Sequence, residues 1–436
     1  MPAKEKKTGL IFFPAFDWAI SPNHPEREER LLYTQDQVFE EGLLDFPNIV
    51  EYKPGIATYA DINRCHICVP NPQNLTTNSH LISAGGAITA AQKVLSGEVD
   101  NAFALVRPPG HHSMLVAHGA RGFCNINIEA VMIEYIRHTF GIRRIAVVDT
   151  DCHHGDGTQD IYWNDPDVLC ISMHQDGRTL YPGTGFIDDF GGPNALGATI
   201  NIPLPPRTSD EGFLFVLENA ILPMLDEFKP EIIINSAGQD NHYSDPITNM
   251  NFSAQGYALL NEKLAPDIAV LEGGYSIEKA LPYVNVGIIL AMAGLDYSQV
   301  REPDYDALQI RQSQEVTRLI ENEVKNLMTL WKKKKNLKKQ ITGSAAYIRR
   351  EKNIYYDTDD ITERQIETVR VCNDCGGLVM IESAADTGKK IYAVILPNSC
   401  CPTCRESGES FFSRVNGSQY SHIYFQDRQR DVFIVK

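Results

Sequence analysis

The sequence predicts an α/β protein, a doubly wound and mostly parallel sheet followed by a small β-rich C-terminal domain. Three observations predict it. Between about residues 9 and 295, five short apolar runs lack polar alternation, the pattern of strands covered on both faces. Stretches with helical spacing separate several of them, and alternation of strand and helix argues for a parallel sheet. Beyond residue 295 the pattern changes, first to one long amphipathic segment and then to strand-like sequence punctuated by Gly and Cys.

The five runs are Phe103 to Val106, Ile145 to Val148, Val168 to Ile171, Glu231 to Ile234 and Ile268 to Leu271. Helical spacing marks Ile126 to His138, Gly212 to Phe228 and Ser253 to Leu264. Asp306 to Lys339 reads as one helix, with Val316, Ile320, Val324, Leu327 and Trp331 on its apolar stripe. The lysines at its end, Lys332 to Lys335 with Lys338 and Lys339, read as a solvated last turn complementing the helix dipole. The expected divisions are a main domain over 1–305, a helical connector over 306–340 and a cysteine-bearing domain over 341–436.

Composition narrows the function. The 436 residues are 43% hydrophobic and 22% charged, which excludes a disordered or fibrous protein. The net charge of −16 disfavours nucleic acid and anionic membranes as partners. The longest apolar stretch, Val286 to Leu295, is about half of the ~20 residues that a membrane-spanning helix requires. Met1 to Lys7 leads into no apolar signal region, so the expected location is the cytoplasm.

Ten cysteines in a reducing compartment are expected to stay as thiols or bind metal. Cys124, Cys152 and Cys170 read as small buried hydrophobes. Cys372-Asn-Asp-Cys375 and Cys401-Pro-Thr-Cys404 have the knuckle spacing of a zinc ribbon, in which four thiolates close the shell of a structural zinc. Cys65 and Cys68 form a third pair with no partner pair, and their role is left open.

Each apolar run is followed by a polar segment at its carboxyl end, the edge of a parallel sheet at which ligands bind. The segment Asp149-Thr-Asp151-Cys-His153-His-Gly-Asp156-Gly alternates carboxylates with imidazoles, so Asp151 and His153 suit one metal with Asp149 beneath them. A polar loop with a helix-capping Asp is the plain alternative. Asp240, beyond another strand end, makes a third ligand and leaves a fourth position open, as in a catalytic zinc site. Two carboxylates neutralise the metal charge, so a separate general base is needed, and His111-His112 supplies one unless the pair is simply a surface turn. Tyr275, after two glycines, is either a donor to an oxyanion or part of a plain loop, and on its own the Gly-Gly-Tyr run does not decide between them.

Taken together these segments resemble the histone deacetylase family, including class II deacetylases and acetylpolyamine amidohydrolases. The resemblance spans about residues 9 to 295. It includes His24-Pro25-Glu26, Ser83 to Ala87, Arg107 to His112, Gly122-Phe123-Cys124, Asp149 to Gly157, Pro182 to Gly185, Ser236 to Asp240 and Leu271 to Tyr275. It implies the arginase/deacetylase-like α/β/α fold and hydrolysis of an acylated amine, either N-acyl-lysine in protein or peptide, or an acylpolyamine. It further implies that Asp151, His153 and Asp240 bind the catalytic zinc, that His111 and His112 are a catalytic dyad with carboxylate partners Asp149 and Asp156, and that Tyr275 is the transition-state donor. Phe123 and Tyr181 are the implied channel walls. A potassium ion is implied at Asp149, Asp151, His153, Ser172 and Met173. Gln239, Glu28, Asn125 and Ile128 depart from the usual family pattern and put substrate choice in question. A reading from another class, a zinc-ribbon binding module with a vestigial pocket, predicts no turnover. Sequence does not fix the oligomeric state.

Overall fold

The computed structural model describes residues 6–342 and 346–436. In chain order the first ten strands are β1 (Thr8–Phe13), β2 (Ile49–Tyr52), β3 (Ile67–Cys68), β4 (Asn101–Val106), β5 (Val116–Ala117), β6 (Ile145–Asp149), β7 (Val168–Gln175), β8 (Thr199–Leu204), β9 (Ile232–Ser236) and β10 (Ile268–Val270). β3 pairs only with β5. The other eight form one sheet in the order β2-β1-β4-β10-β9-β6-β7-β8, parallel at every junction. The five runs found in the sequence are β4, β6, β7, β9 and β10, and they are five consecutive strands of this sheet.

Strand alternation divides the core between the two faces. Phe103, Leu105, Ala146 and Val148 pack with the helices Ala254–Leu264 and Leu281–Ala293. Ala102, Ala104, Ile145 and Val147 pack with the helices Asn78–Leu95 and Ile128–Phe140. Burial on both sides is why these strands carry no polar alternation.

The connector helix covers Gln314–Thr342, and begins later than the expected residue 306. The Asp306 carboxylate accepts the Leu308 N–H at 2.9 Å, holding a turn, and the helix starts after Ser313, whose hydroxyl accepts the Val316 N–H at 3.2 Å. Ile320, Val324, Leu327 and Trp331 are buried against the main core, as their spacing predicts. Lys334 pairs with Glu227 at 2.7 Å, and Lys338 donates to the Asn194 carbonyl at 2.9 Å, so part of the lysine run is docked.

The C-terminal unit is a second sheet of β11 (Tyr347–Tyr356), β12 (Ile361–Arg370), β13 (Leu378–Ala385), β14 (Lys390–Leu396), β15 (His422–Asp427) and β16 (Val432–Val435), in that order. Its one parallel junction, β14 to β15, is bridged by the helix Pro402–Arg414. The sheet does not hang free. Val379, Ile381, Ile391, Ile395 and Tyr424 on one face join the core of the first domain, while Leu378, Val394, Leu396, Phe412 and Phe425 form a core of their own on the other. Buried Cys65 and Cys68 lie at this junction, where the Tyr424 hydroxyl donates to the Pro70 carbonyl at 2.9 Å and Arg428 donates to the Cys65 carbonyl at 3.2 Å. Burial raises both thiols, Cys68 to about 12, so they are inert packing groups.

Candidate active site

The site is built on the carboxyl ends of β4, β10, β9 and β6, which are adjacent in the sheet. β6 delivers Asp149, Asp151 and His153; the segment after β9 delivers Asp240; the loop after β4 delivers His111 and His112; and the segment after β10 delivers Glu272 and Tyr275.

Asp151, His153 and Asp240 meet, with their ligand atoms all within 4.8 Å of one another, and all three are buried. His153 Nδ1 is 2.8 Å from Asp240 Oδ2 and 3.2 Å from Asp151 Oδ1. Burial alone would lower the basicity of His153, but Asp240 and Asp151 outweigh it and lift the imidazole to about 10. The carboxylates are held by backbone donors: Gly273 N–H to Asp151 Oδ2 at 2.7 Å and Cys152 N–H to Asp240 Oδ1 at 2.7 Å. Space around them is made by missing side chains. A Cβ on Gly238 would lie 2.0 Å from Asp151 Oδ2, and one on Gly273 would lie 2.4 Å from Asp240 Oδ2. One imidazole and two carboxylates converging in a pocket cleared by glycines fit a divalent cation such as zinc.

The tandem histidines lie beside this triangle, their ring centroids 4.1 Å apart. His111 Nδ1 is 3.1 Å from Asp149 Oδ2, and His112 Nδ1 is 2.8 Å from Asp156 Oδ1. The surface-turn alternative fails, since both rings are buried. Their basicities split. Burial opposes charge on each, but Asp151 and Asp149 carry His111 well above the ordinary value. His112 falls to about 3, through burial and the neighbouring charge of His111, against the pull of Asp156. A protonated His111 beside a neutral His112 is the division of labour that a general base requires.

Tyr275 has its N–H on Asp245 Oδ2 at 2.8 Å, and the Arg30 guanidinium sits 5.0 Å above its ring. Arg30 is buried, paired with Glu26 at 2.7 Å and donating to the Gly274 carbonyl at 2.8 Å, so it fixes the turn that carries the tyrosine. Burial raises the phenol well above its ordinary value, which keeps Tyr275 a neutral donor. Phe123 packs edge-on to Tyr275 at 5.6 Å, and Tyr181 edge-on to His112 at 5.3 Å. Tyr275, Phe123, Tyr181, His111, His112 and His153 border one cavity of about 280 Å³. Gln239 turns away from the site, donating to Asn285, which in turn donates to Thr34 Oγ1 at 3.0 Å.

Of the residues implied for potassium, Asp149 and Ser172 border a small internal cavity of about 10 Å³. The Ser172 hydroxyl is 2.8 Å from His174 Nδ1, and Met173 is buried in the first core. The cysteines Cys372, Cys375, Cys401 and Cys404 also converge within 4.8 Å, with Cys372 and Cys401 sulfurs 4.0 Å apart and Cys375 and Cys404 sulfurs 3.5 Å apart. Cys400 is outside this set. A hydrogen bond from Cys400, opposed by burial and supported by the Cys401 and Gly377 amides, lowers Cys375 to about 4, which prepares a thiolate.

Three residues with a place here were not singled out by the sequence. Glu272 Oε2 accepts the N–H groups of Gly110 and His111 at 2.7 and 3.1 Å and fixes the histidine loop. Arg121 grips Asp156 Oδ2 through Nη2 at 2.5 Å and Nε at 3.1 Å. Asp357, from the C-terminal domain, borders the cavity itself. Glu272 stands in a recognisable motif, but nothing local marks Arg121 or Asp357.

Comparison with known proteins agrees with this geometry. A histone deacetylase domain matches residues 68–286. A probable deacetylase of Archaeoglobus fulgidus is 44% identical over 325 residues, covering 68% of this chain and 89% of that protein. A histone deacetylase-like amidohydrolase of Pseudomonas aeruginosa is 36% identical over 53% of this chain and 62% of its own. The acetoin utilization protein AcuC of Bacillus subtilis is 37% identical over 51% and 58%. The solved HDA15 HD domain shares the fold, with a TM-score of 0.65 at 23% identity, over 78% of this chain and 99% of its own. A matched domain that holds these converging side chains, apart from Glu26, Arg30 and Thr34 and the groups lent by the C-terminal domain, with a relative so similar over nearly its whole length, makes this chain a member of the histone deacetylase family.

Proposed function

We propose that the protein is a zinc-dependent amidohydrolase that removes acetyl or other acyl groups from N-acylated lysine side chains. The observation that carries this reading is the meeting of the Asp151, His153 and Asp240 triangle, the His112–Asp156 pair and Tyr275 around one cavity. A zinc held by the triangle supplies a Lewis acid and an acidified water. His112 is the base: Asp156 accepts its Nδ1–H, which leaves Nε2 free to take the proton of the attacking water. Protonated His111, hydrogen-bonded to Asp149, keeps positive charge beside the developing negative charge. Tyr275 donates its O–H to the carbonyl oxygen as that oxygen becomes an oxyanion. The His112 imidazolium then protonates the departing amine nitrogen. Phe123 and Tyr181 enclose the aliphatic chain and exclude water.

Asp149, Asp151, His153, Ser172 and Met173 are the proposed potassium-binding set, and the four converging cysteines the proposed structural zinc site. The six cysteines outside that set are free thiols, which suits a reducing compartment, and we propose a cytoplasmic location; no helix among the described residues is long and apolar enough to cross a membrane.

The test is release of the acyl group from an acetyl-lysine peptide, with chelation and zinc restoration as controls. Turnover is expected, lost on chelation and regained with zinc. Tyr275→Phe is expected to lower kcat by about 10²–10³, the usual cost of a lost oxyanion donor. Absence of turnover on any acylated amine would end this reading, and unchanged kcat in the variant would remove Tyr275 from the mechanism.

A further inference from the structure

The C-terminal sheet reaches into the active site. The β11–β12 turn, Asp357-Thr-Asp-Asp360, lies against the segment Gly119 to Phe123, which carries the channel wall. Four contacts seat it. Asp357 Oδ1 accepts the Gly122 N–H at 2.9 Å, Asp359 Oδ2 accepts the Ala120 N–H at 2.6 Å, and the Tyr355 carbonyl accepts Arg121 Nη1 at 2.7 Å. Behind them the buried Tyr356 donates its hydroxyl to the Val116 carbonyl at 2.8 Å. The turn is therefore a docked wall, and its Asp357 lines the same cavity as His112, His153 and Tyr275.

The charge balance at this wall is uneven. Its basic group, Arg121, is turned inward onto Asp156, which in turn holds His112. The hydrogen-bond donors on Asp357 are neutral, the Gly122 amide, the Thr358 hydroxyl at 3.4 Å and the hydroxyl of Tyr181, while Arg121, gripped by Asp156, acts on it only through space. Asp357 is thus an exposed carboxylate without a direct ion-pair partner, at the border of a channel with aromatic walls, and it faces whatever enters.

We propose that Asp357 is a specificity-determining residue, receiving a positively charged group carried by the substrate on the amine side of its acyl bond. The inference rests on the deacylase reading above. It assigns the C-terminal domain a part in substrate choice, in addition to whatever structure its cysteines maintain. Two sources offer the same chemistry: the distal ammonium of an acylated diamine or polyamine, and a basic residue flanking acyl-lysine in a peptide.

The test is steady-state kinetics of the full-length, zinc-loaded protein on two matched pairs. One pair is a series of mono-acetylated α,ω-diamines of increasing length against the neutral N-alkyl acetamides. The other is an acetyl-lysine peptide flanked by Arg against the same peptide flanked by Ala. The wild-type protein is expected to favour the cationic member of at least one pair, through KM. In Asp357→Asn the ratio of kcat/KM between cationic and neutral members is expected to fall by about 5–10-fold, the scale of one partly exposed ion pair, and Asp357→Glu to restore it. The pair that responds identifies the source. Because the readout is a ratio within one protein, a partial folding defect does not move it. A ratio equal in wild type and Asp357→Asn, or no cationic preference in either pair, overturns the inference while leaving the deacylase reading intact. Absence of turnover on every one of these substrates in the wild-type protein overturns both.

Discussion

Arg121 shows how a single side chain links chemistry to a neighbouring domain. Its guanidinium divides its donors between Asp156 and the Tyr355 carbonyl, and it is almost fully buried. Burial would raise the Asp156 carboxyl, but Arg121 first and His112 second drive it well below the carboxylate range. Removing the cation leaves a buried carboxylate hydrogen-bonded to neutral His112 with no cation on it, so His112 becomes easier to protonate. A base works in its neutral form. In Arg121→Met the rising limb of kcat/KM is therefore expected to move to higher pH, by about one unit. A stability loss on the order of 3 kcal/mol should accompany it, because half of a buried ion pair is gone. Arg121→Lys should restore part of the pH profile, since it returns the charge without the two-pronged grip. A stability loss with an unmoved pH profile would make Arg121 a purely structural residue.

At the scale of elements, β11 and β12 are fastened to the first domain by a charged cluster. Arg350 and Lys352 of β11 reach both Asp160 of the main domain and Glu367 of β12, and Asn164 donates to Glu367 Oε1 at 2.9 Å. Glu367 is buried, which alone would raise its carboxyl, yet Arg350, Lys352 and Asn164 bring it down to about 2. A carboxyl held below its unfolded value stabilises the fold above about pH 4.5 and loses that contribution as the pH falls toward 2. Glu367→Gln is accordingly expected to lower the midpoint of thermal unfolding at pH 7, by the equivalent of about 2 kcal/mol. The gap between wild type and variant should close as the pH is lowered through that window. Unfolding midpoints that fall in parallel for the two proteins would mean that Glu367 does not carry the acid sensitivity of this junction.

At the scale of the whole molecule, most of the catalytic half was legible because its signals are local. Asp151 and His153 stand two residues apart on one strand end, and β-branched runs buried on both faces announce their own strands. That Asp240 and His111 join them follows from adjacent parallel strands, which bring every carboxyl end to one edge. The second domain was legible in its strand-like runs and its cysteines, but not in where it docks. The place of Asp357 depends on how two sheets dock, through Val379, Ile391 and Tyr424 on one side and Tyr356 on Val116 on the other, and docking leaves no periodicity in a sequence. The cysteine cluster bears on catalysis through the same docking. Cys401 precedes the helix Pro402–Arg414 that bridges β14 and β15, Cys404 lies in its first turn, and Cys372 follows β12, whose other end forms the channel-wall turn. A metal held there would tie the bridging helix to β12, and its removal would loosen the sheet that presents Asp357. Cys404→Ser is therefore expected to lower bound zinc from about two per chain to about one, to lower the unfolding temperature and to expose the C-terminal sheet to proteolysis. KM for the favoured acylated amine should rise severalfold more than kcat falls, because the zinc triangle and the histidine pair stand on the other sheet. One zinc ion per chain in both wild type and variant, with unaltered KM, would show that the cysteines hold no metal and that the wall stands without them.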